Sequence, residues 1–398
     1  MVIMKYNNKY IILIYVLILS WGVNAQDSFQ QVLRNIESNN TTLKALQEQT
    51  KADKISNKTA LNLENPEVGV GYLWGSPTGE GNRKDLSITQ SFDFPTAYRY
   101  RSQVVAGQNT QADLAYRQQA KEILQEARAF CVELVYQTKV YEELIERVKF
   151  ARELREAYQI RFDKGDINII EYNKTKLNLL NEEKALQICE VEIATLRAEL
   201  ERMNGGEPLM DVLDTYSNYV LPLSFDQWFT MAKVNNPALE LAEKEVDVSR
   251  KQEKLTKALN LPKISAGYMS ERLLGATHQG VTLGISIPLW EGKNTVKHQK
   301  AQTLALQVQH KDSELQFYNN LKNQYSRAST LSGLLRDYEE VLNVSNNKSL
   351  LKKAFDKGQL SLIDYLLELS IYYDTIDEYL ERERDYQLAL SELQQWDS

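Results

Sequence analysis

Cysteine is nearly absent: Cys131 and Cys189 are the only two in 398 residues. A disulfide-stapled framework is therefore excluded. Histidine is as scarce. His278, His298 and His310 lie too far apart for a zinc-ligand pair at i,i+4, and no Gly-rich phosphate loop or nucleophile elbow occurs. The six methionines are dispersed, so no thioether metal relay is visible. We expect no enzyme, no cofactor and no metal site. Positive charge is not in excess: the formal net charge of −7 argues against a nucleic-acid partner. Glycine (17) and proline (8) are too few for an all-β chain. Beyond the N-terminus there is no run of 18 apolar residues, and hence no transmembrane helix. A closed β-barrel remains open, because its strands carry a weaker signal.

What is present begins with a secretion signal. Lys5 and Lys9 precede the apolar stretch Ile11–Leu19, and Val23-Asn24-Ala25 supplies a small-residue cleavage site. Residues 1–25 are expected to be removed on export. No cysteine stands at the cleavage point, so a lipid-modified N-terminus is not indicated.

The rest reads as a tandem duplication. Ser28-Phe29 matches Ser224-Phe225, Asn39-Asn40 matches Asn235-Asn236, and Gly71-Tyr72 matches Gly267-Tyr268, all 196 residues apart. Phe162-Asp163-Lys164-Gly165 returns as Phe355-Asp356-Lys357-Gly358, 193 apart. A period this long marks a duplicated unit rather than a solenoid. The first repeat covers 26–223 and the second 224–398. Each opens with a helix, Ser28–Leu63 or Phe225–Leu261, followed by a β-hairpin, 66–95 or 262–289. A long helix follows, 96–162 or 292–355, then a tip at 163–167 or 356–360, and a return helix, 168–204 or 361–396. Residues 205–223 form an irregular segment between the repeats. At each tip Gly165 or Gly358 suits a left-handed C-cap, and Asn168 or Ser361 the next N-cap. Counted from the tip, Cys131 and Cys189 differ in height by about 15 Å, too far for a disulfide.

The hairpins alternate with period two. Val68, Val70, Tyr72 and Trp74 share one face, and Val281, Leu283, Ile285 and Ile287 another. The loops between are expected at 75–82 and 270–280, with Pro95 and Pro288 opening the long helices. Four such strands cannot close a membrane barrel, which needs about eight or more. An open edge in lipid leaves backbone groups unsatisfied. Several chains must therefore assemble, and a wide conduit favours three or more.

Asn235-Asn236-Pro237-Ala238-Leu239, Leu261–Tyr268, Ser286–Gly292 and the two Phe-x-x-Gly tips resemble the TolC-type outer membrane efflux family over the whole chain after the signal. The resemblance implies a mainly α fold with a small β part. Long antiparallel helices would form a periplasmic α-barrel. Two hairpins per chain would contribute to a twelve-stranded outer membrane barrel in a homotrimer. It further implies a Gram-negative outer membrane location, contact with outer membrane lipid, a periplasmic adaptor (membrane fusion protein) and an inner-membrane pump. A proton-driven pump of the RND type ranks first. The duct of a type I protein secretion system ranks second, and a periplasmic coiled-coil scaffold without a pore is the rival outside this class.

The same resemblance makes Glu171 and Asp364 candidate periplasmic gate residues. The spacings Asn168-x-x-Glu171 and Ser361-x-x-Asp364 equally suit helix capping. Candidate adaptor contacts are Phe162, Gly165, Ile167, Phe355, Gly358 and Leu360, against a reading in which they only staple the turns. Tyr72, Trp74, Phe92 and Tyr268 are candidate membrane-facing aromatics, whereas Phe94 and Trp290 fit packing at the strand-to-helix junction. The sequence departs from the family pattern at Thr41-Thr42, where Asn-Pro would stand, and at Leu360 and Leu367, where charged tip residues would stand.

Overall fold

The structure is a computed structural model that describes residues 28–77, 79–209, 213–344 and 347–397. The expected signal segment, residues 1–25, lies outside the described residues. In order, the elements are α1 (Ser28–Asn39), α2 (Thr41–Thr59), β1 (Glu67–Leu73), β2 (Arg83–Phe92), α3 (Pro95–Asp163), α4 (Ile169–Met203), α5 (Phe225–Val234), α6 (Pro237–Leu259), β3 (Lys263–Leu273), β4 (Ala276–Ser286), α7 (Thr295–Val344), α8 (Asn347–Asp356) and α9 (Leu362–Gln394). The expectation of a mainly helical chain with a small β part holds. Pro95 is the first residue of α3, where its missing N–H costs nothing. At 69 residues α3 is about 100 Å long.

Each opening helix, expected in one piece, is broken. Asn40 ends α1, and its Oδ1 accepts from Leu43 N at 2.9 Å to cap α2. Its Nδ2 donates to the Met203 carbonyl at 2.8 Å. Asn236 does the same for α6, accepting from Ala238 N and Leu239 N. An Asn side chain competes for backbone N–H groups and so interrupts an otherwise helical run.

Three further boundaries differ from expectation. The turn expected at 270–280 shrinks to Leu274-Gly275, both at positive φ, and β3 and β4 run to either side of it. Two central residues at positive φ match the twist of a tight hairpin. The second long helix starts at Thr295 rather than at Gly292. Asn294 at φ +68° breaks helical geometry just before it, and Gly292 sits against the Asn260 side chain, which donates to Thr295 Oγ1 at 3.1 Å. Finally, that helix is described in two pieces, α7 and α8, with residues 345 and 346 outside the described set.

The four strands form one antiparallel sheet in the order β1-β2-β3-β4. The two hairpins thus lie side by side, joined through β2 and β3. Packing groups the chain into two compact units that cut across the sequence halves. One comprises the residues up to Lys44, Ala120–Asn235 and those from Tyr318 on. Its core gathers Val32, Ile36, Cys131, Val135, Leu200 and Met203. The other comprises Ala45–Gln119 and Asn236–Phe317. It holds the sheet and a smaller core of Ala97, Val104, Val248, Leu255 and Ala258.

Cys131 and Cys189 are both buried and unpaired, as the tip geometry required. Burial pushes the Cys131 thiol up to about 12, and the Cys189 thiol faces the Gln137 carbonyl at 3.4 Å. A thiol titration of the native protein near pH 8 should therefore find neither cysteine reactive, and both should react after denaturation. Asn40→Ala removes a cap and a buried partner of Met203. It should lower stability by about 1–2 kcal/mol, read as a lower denaturation midpoint than that of the exposed control Thr42→Ala.

Candidate functional site

The register assigns every strand residue to a face, since cross-strand partners share one. Val68, Val70 and Tyr72 of β1 align with Ile88, Leu86 and Lys84 of β2. Ile88 then aligns with Tyr268, and Tyr268 with Val281. Ile264 aligns with Phe92 and Ile285, and Ala266 with Leu283. This face is apolar and uncovered: Val70, Val281 and Leu283 are 82%, 86% and 83% exposed. The opposite face carries Gly69, Gly71, Ser87, Thr89, Ser265, Gly267, Thr282 and Gly284. It is crowded. A Cβ on Gly69 would stand 2.7 Å from Ser87 Oγ, and one on Gly284 2.5 Å from Ser265 Oγ. One on Gly267 would stand 2.6 Å from the Ile88 carbonyl oxygen, a backbone atom that cannot turn aside, so glycine is required there. An apolar exposed face backed by a small polar one is the pattern of a membrane barrel wall.

The candidate aromatics lie on the apolar side. Tyr72 and Trp74 meet edge to face, 5.5 Å between centroids. The Tyr72 hydroxyl accepts from Asn82 Nδ2 at 2.8 Å, and the Tyr268 hydroxyl donates to Gln279 Oε1 at 2.7 Å. An apolar ring with a satisfied polar end suits a membrane–water boundary. Phe92 stands beside Ile264 at the helix-joined end of the sheet. Trp290 is 80% exposed, which contradicts the expected burial at the junction. Trp290 opens the turn before α7, its carbonyl accepting from Lys293 N at 3.1 Å.

The two helical tips close identically. Gly165 N donates to the Phe162 carbonyl and Asp166 N to the Arg161 carbonyl, both at 2.9 Å. Gly358 N donates to Phe355 and Gln359 N to Ala354 at the same distances. Gly165 (φ +80°) and Gly358 (φ +70°) supply the left-handed residue that this C-cap requires. Each following helix is then capped: Asn168 Oδ1 accepts from Glu171 N at 3.0 Å, and Ser361 Oγ from Asp364 N at 3.2 Å. Ser361 Oγ also donates to the Asp364 carboxylate at 2.6 Å.

An aromatic stack, missed in the sequence, fills the space beneath. Phe162 stacks on Tyr172 at 5.3 Å and Phe355 on Tyr365 at 4.4 Å. Tyr158 stacks on Phe355 at 6.4 Å. Burial pushes the Tyr365 hydroxyl up to about 12. The signal was there: a tyrosine follows the acidic residue in both copies. Beside the stack is a cleft of ≈ 510 Å³ lined by Tyr158, Arg161, Glu171, Phe355, Leu360 and Tyr365, among others. Further along α3 lies a second missed feature. Arg147, 6% exposed, holds Asp377 of α9 through bonds of 2.6 and 2.9 Å and lies over the Tyr373 ring.

No protein-family model matches the chain. It is 25% identical over 334 residues to the alkaline protease secretion protein AprF of Pseudomonas aeruginosa, covering 77% of this chain and 68% of that protein. The Campylobacter jejuni outer membrane channel CmeC superposes with a TM-score of 0.77 over 93% of this chain and 85% of that one, at 13% identity. The outer-membrane channel OprN gives 0.77 over 93% and 89%, at 14% identity. The chain has the fold of the TolC-type outer membrane channels.

Within this channel fold, the structure brings Glu171, Phe355, Gly358 and Leu360 together around the tip cleft. Asp364 is exposed and held by Ser361. Phe162, Ile167, Phe355 and Leu360 are half-buried against the tip cores, whereas Gly165 and Gly358 are exposed. The fully presented apolar groups are others: Ile169, Ile170, Ile363 and Leu367 are each at least half exposed. Phe355→Ala empties the centre of the stack. It should loosen the tip by about 3 kcal/mol, seen as faster tryptic cleavage after Lys357 than in the unsubstituted protein. Ile363→Ala should leave that cleavage rate unchanged.

Proposed function

We propose that this protein is the outer membrane channel of a tripartite efflux system, a passive and non-enzymatic duct. One observation carries the reading. The sheet has an exposed apolar face and a small polar face, and β1 and β4 each have one neighbour among the described residues. Open edges of that kind are costly in lipid, and three chains bring the strand number to twelve. The protein then sits in the outer membrane of a Gram-negative cell as a homotrimer, its helices extending into the periplasm. The duct itself holds no energy source, so substrate is driven by an inner-membrane pump of the RND type through a periplasmic adaptor. The adaptor meets the tips at Gly165 and Gly358 and the apolar groups beside them. In this reading the two sequence halves are copies of one unit, consistent with the matching bonds at Gly165 and Gly358.

A second cargo class is favoured by a specific observation. The sequence relative is a protease secretion protein at 25% identity, while the channel structures share 13–14%. Export of a polypeptide by a type I secretion system is therefore the alternative. Deleting the gene separates the two: sensitivity to dyes, detergents, metals or antibiotics marks efflux, and loss of an extracellular polypeptide marks secretion.

Glu171 and Asp364 form a carboxylate ring in the assembled entrance, six groups in three chains. Carboxylate rings favour cations. The detergent-extracted trimer should conduct ions in a planar bilayer. The double variant Glu171→Gln/Asp364→Asn should change the conductance or its block by multivalent cations. Unaltered conductance and block would reduce both residues to helix caps.

A further inference from the structure

We infer the register in which one chain's sheet joins the next: β4 (Ala276–Ser286) pairs with β1 of the neighbouring copy so that Leu283 lies opposite the neighbour's Val70. This rests on the proposed trimeric barrel and deepens it.

The derivation uses the register within the chain. A row of paired residues starts at Glu67, passes through Thr89 and Gly267, and reaches Thr282. Glu67 is the helix-joined end of β1, but Thr282 lies four residues inside the helix-joined end of β4, Ser286. The rows therefore climb away from the helix-joined ends on passing from β1 to β4. All strands of a barrel tilt in one sense, so the climb continues into the next chain. The offset per chain must be even, because an odd one would turn the neighbour's apolar face inward.

Two conditions select one value. Strands about 4.8 Å apart with about 3.3 Å per residue, in a twelve-stranded barrel, tilt by about 20° for an offset of two residues per chain. They tilt by about 35° for four and about 45° for six, and membrane barrels tilt by about 35–45°. Two is excluded. Six would place the neighbour's Glu67 and Val68 opposite Pro288 and Ile287, beyond the end of β4, and Pro288 has no N–H to give. Four sets β1 (Glu67–Leu73) flush against Gly280–Ser286, inside β4 along its whole length.

The side chains agree. At an offset of four, Val68, Val70 and Tyr72 of one chain meet Ile285, Leu283 and Val281 of the next on the apolar face. Gly69 meets Gly284, and Gly71 meets Thr282, on the face where added Cβ atoms already clash within the chain. The seam thus reproduces the pattern of the pairs inside the sheet, apolar outside and small inside.

Cysteine pairs test it in outer membranes. Directly opposed strand residues have Cα atoms about 4.5–5.5 Å apart, within disulfide reach. A two-residue slip moves them to about 8 Å, out of reach. Oxidation of Val70→Cys/Leu283→Cys should give crosslinked dimers and trimers, as should Val68→Cys/Ile285→Cys. Val70→Cys/Ile285→Cys, which reports the six-residue offset, should stay monomeric, as should the unsubstituted chain. Crosslinking of that last pair in place of the first two would overturn the register and leave the barrel standing. If none of the three pairs crosslinks in correctly inserted protein, the register fails, and if Val70→Cys/Val281→Cys, which reports the two-residue offset, also stays monomeric, the trimeric barrel fails with it.

Discussion

A backbone amide in hydrocarbon has nowhere to place its hydrogen bond except another backbone. The rest of this molecule depends on that constraint. Its sheet has four strands and an uncovered apolar face, and its outer strands β1 and β4 each have one strand neighbour among the described residues. Exposed edges of this length are an aggregation liability in water and a larger cost in lipid. The proposed closure of the sheet on copies of itself would remove both. The glycines and small hydroxyl residues of the opposite face fit the same proposed closure, since a curved wall crowds its concave side.

The tips answer a different demand. A turn between two long helices must satisfy the last carbonyls of one and the first amides of the other. Gly165 and Gly358 do the first through a positive φ, and Asn168 and Ser361 do the second. The aromatic stacks of Phe162 on Tyr172 and Phe355 on Tyr365 give the turn a core of its own. The caps use the backbone N–H of Glu171 and Asp364, and of the two carboxylates Asp364's accepts from Ser361.

Much of this was legible in the residues. Period-two alternation placed the hairpins, and the repeated Phe-Asp-Lys-Gly placed the tips. The aromatics of the apolar face were visible as well. The helix breaks were not, although Asn236-Pro237 marks one of them openly. Asn40 looks like any polar residue in a Gln- and Lys-rich helix, and its capping role appears only when its amide finds Met203. The turn at Leu274-Gly275 was hidden because leucine carries no turn signal at positive φ. Polar Gln279 and His278 read as loop, yet they pair with Ser270 and Glu271 as strand. Buried Arg147 and its half-exposed partner Asp377 lie 230 residues apart, and no local pattern links them.

Amide hydrogen exchange on the detergent-solubilised assembly addresses the edges themselves. If neighbouring chains satisfy them, the amides of 68–73 and 280–285 will be protected as strongly as those of the inner strands 84–92 and 264–272. Fast exchange at alternate residues of β1 and β4, with slow exchange in β2 and β3, would mean that the edges face solvent and that the sheet closes on nothing.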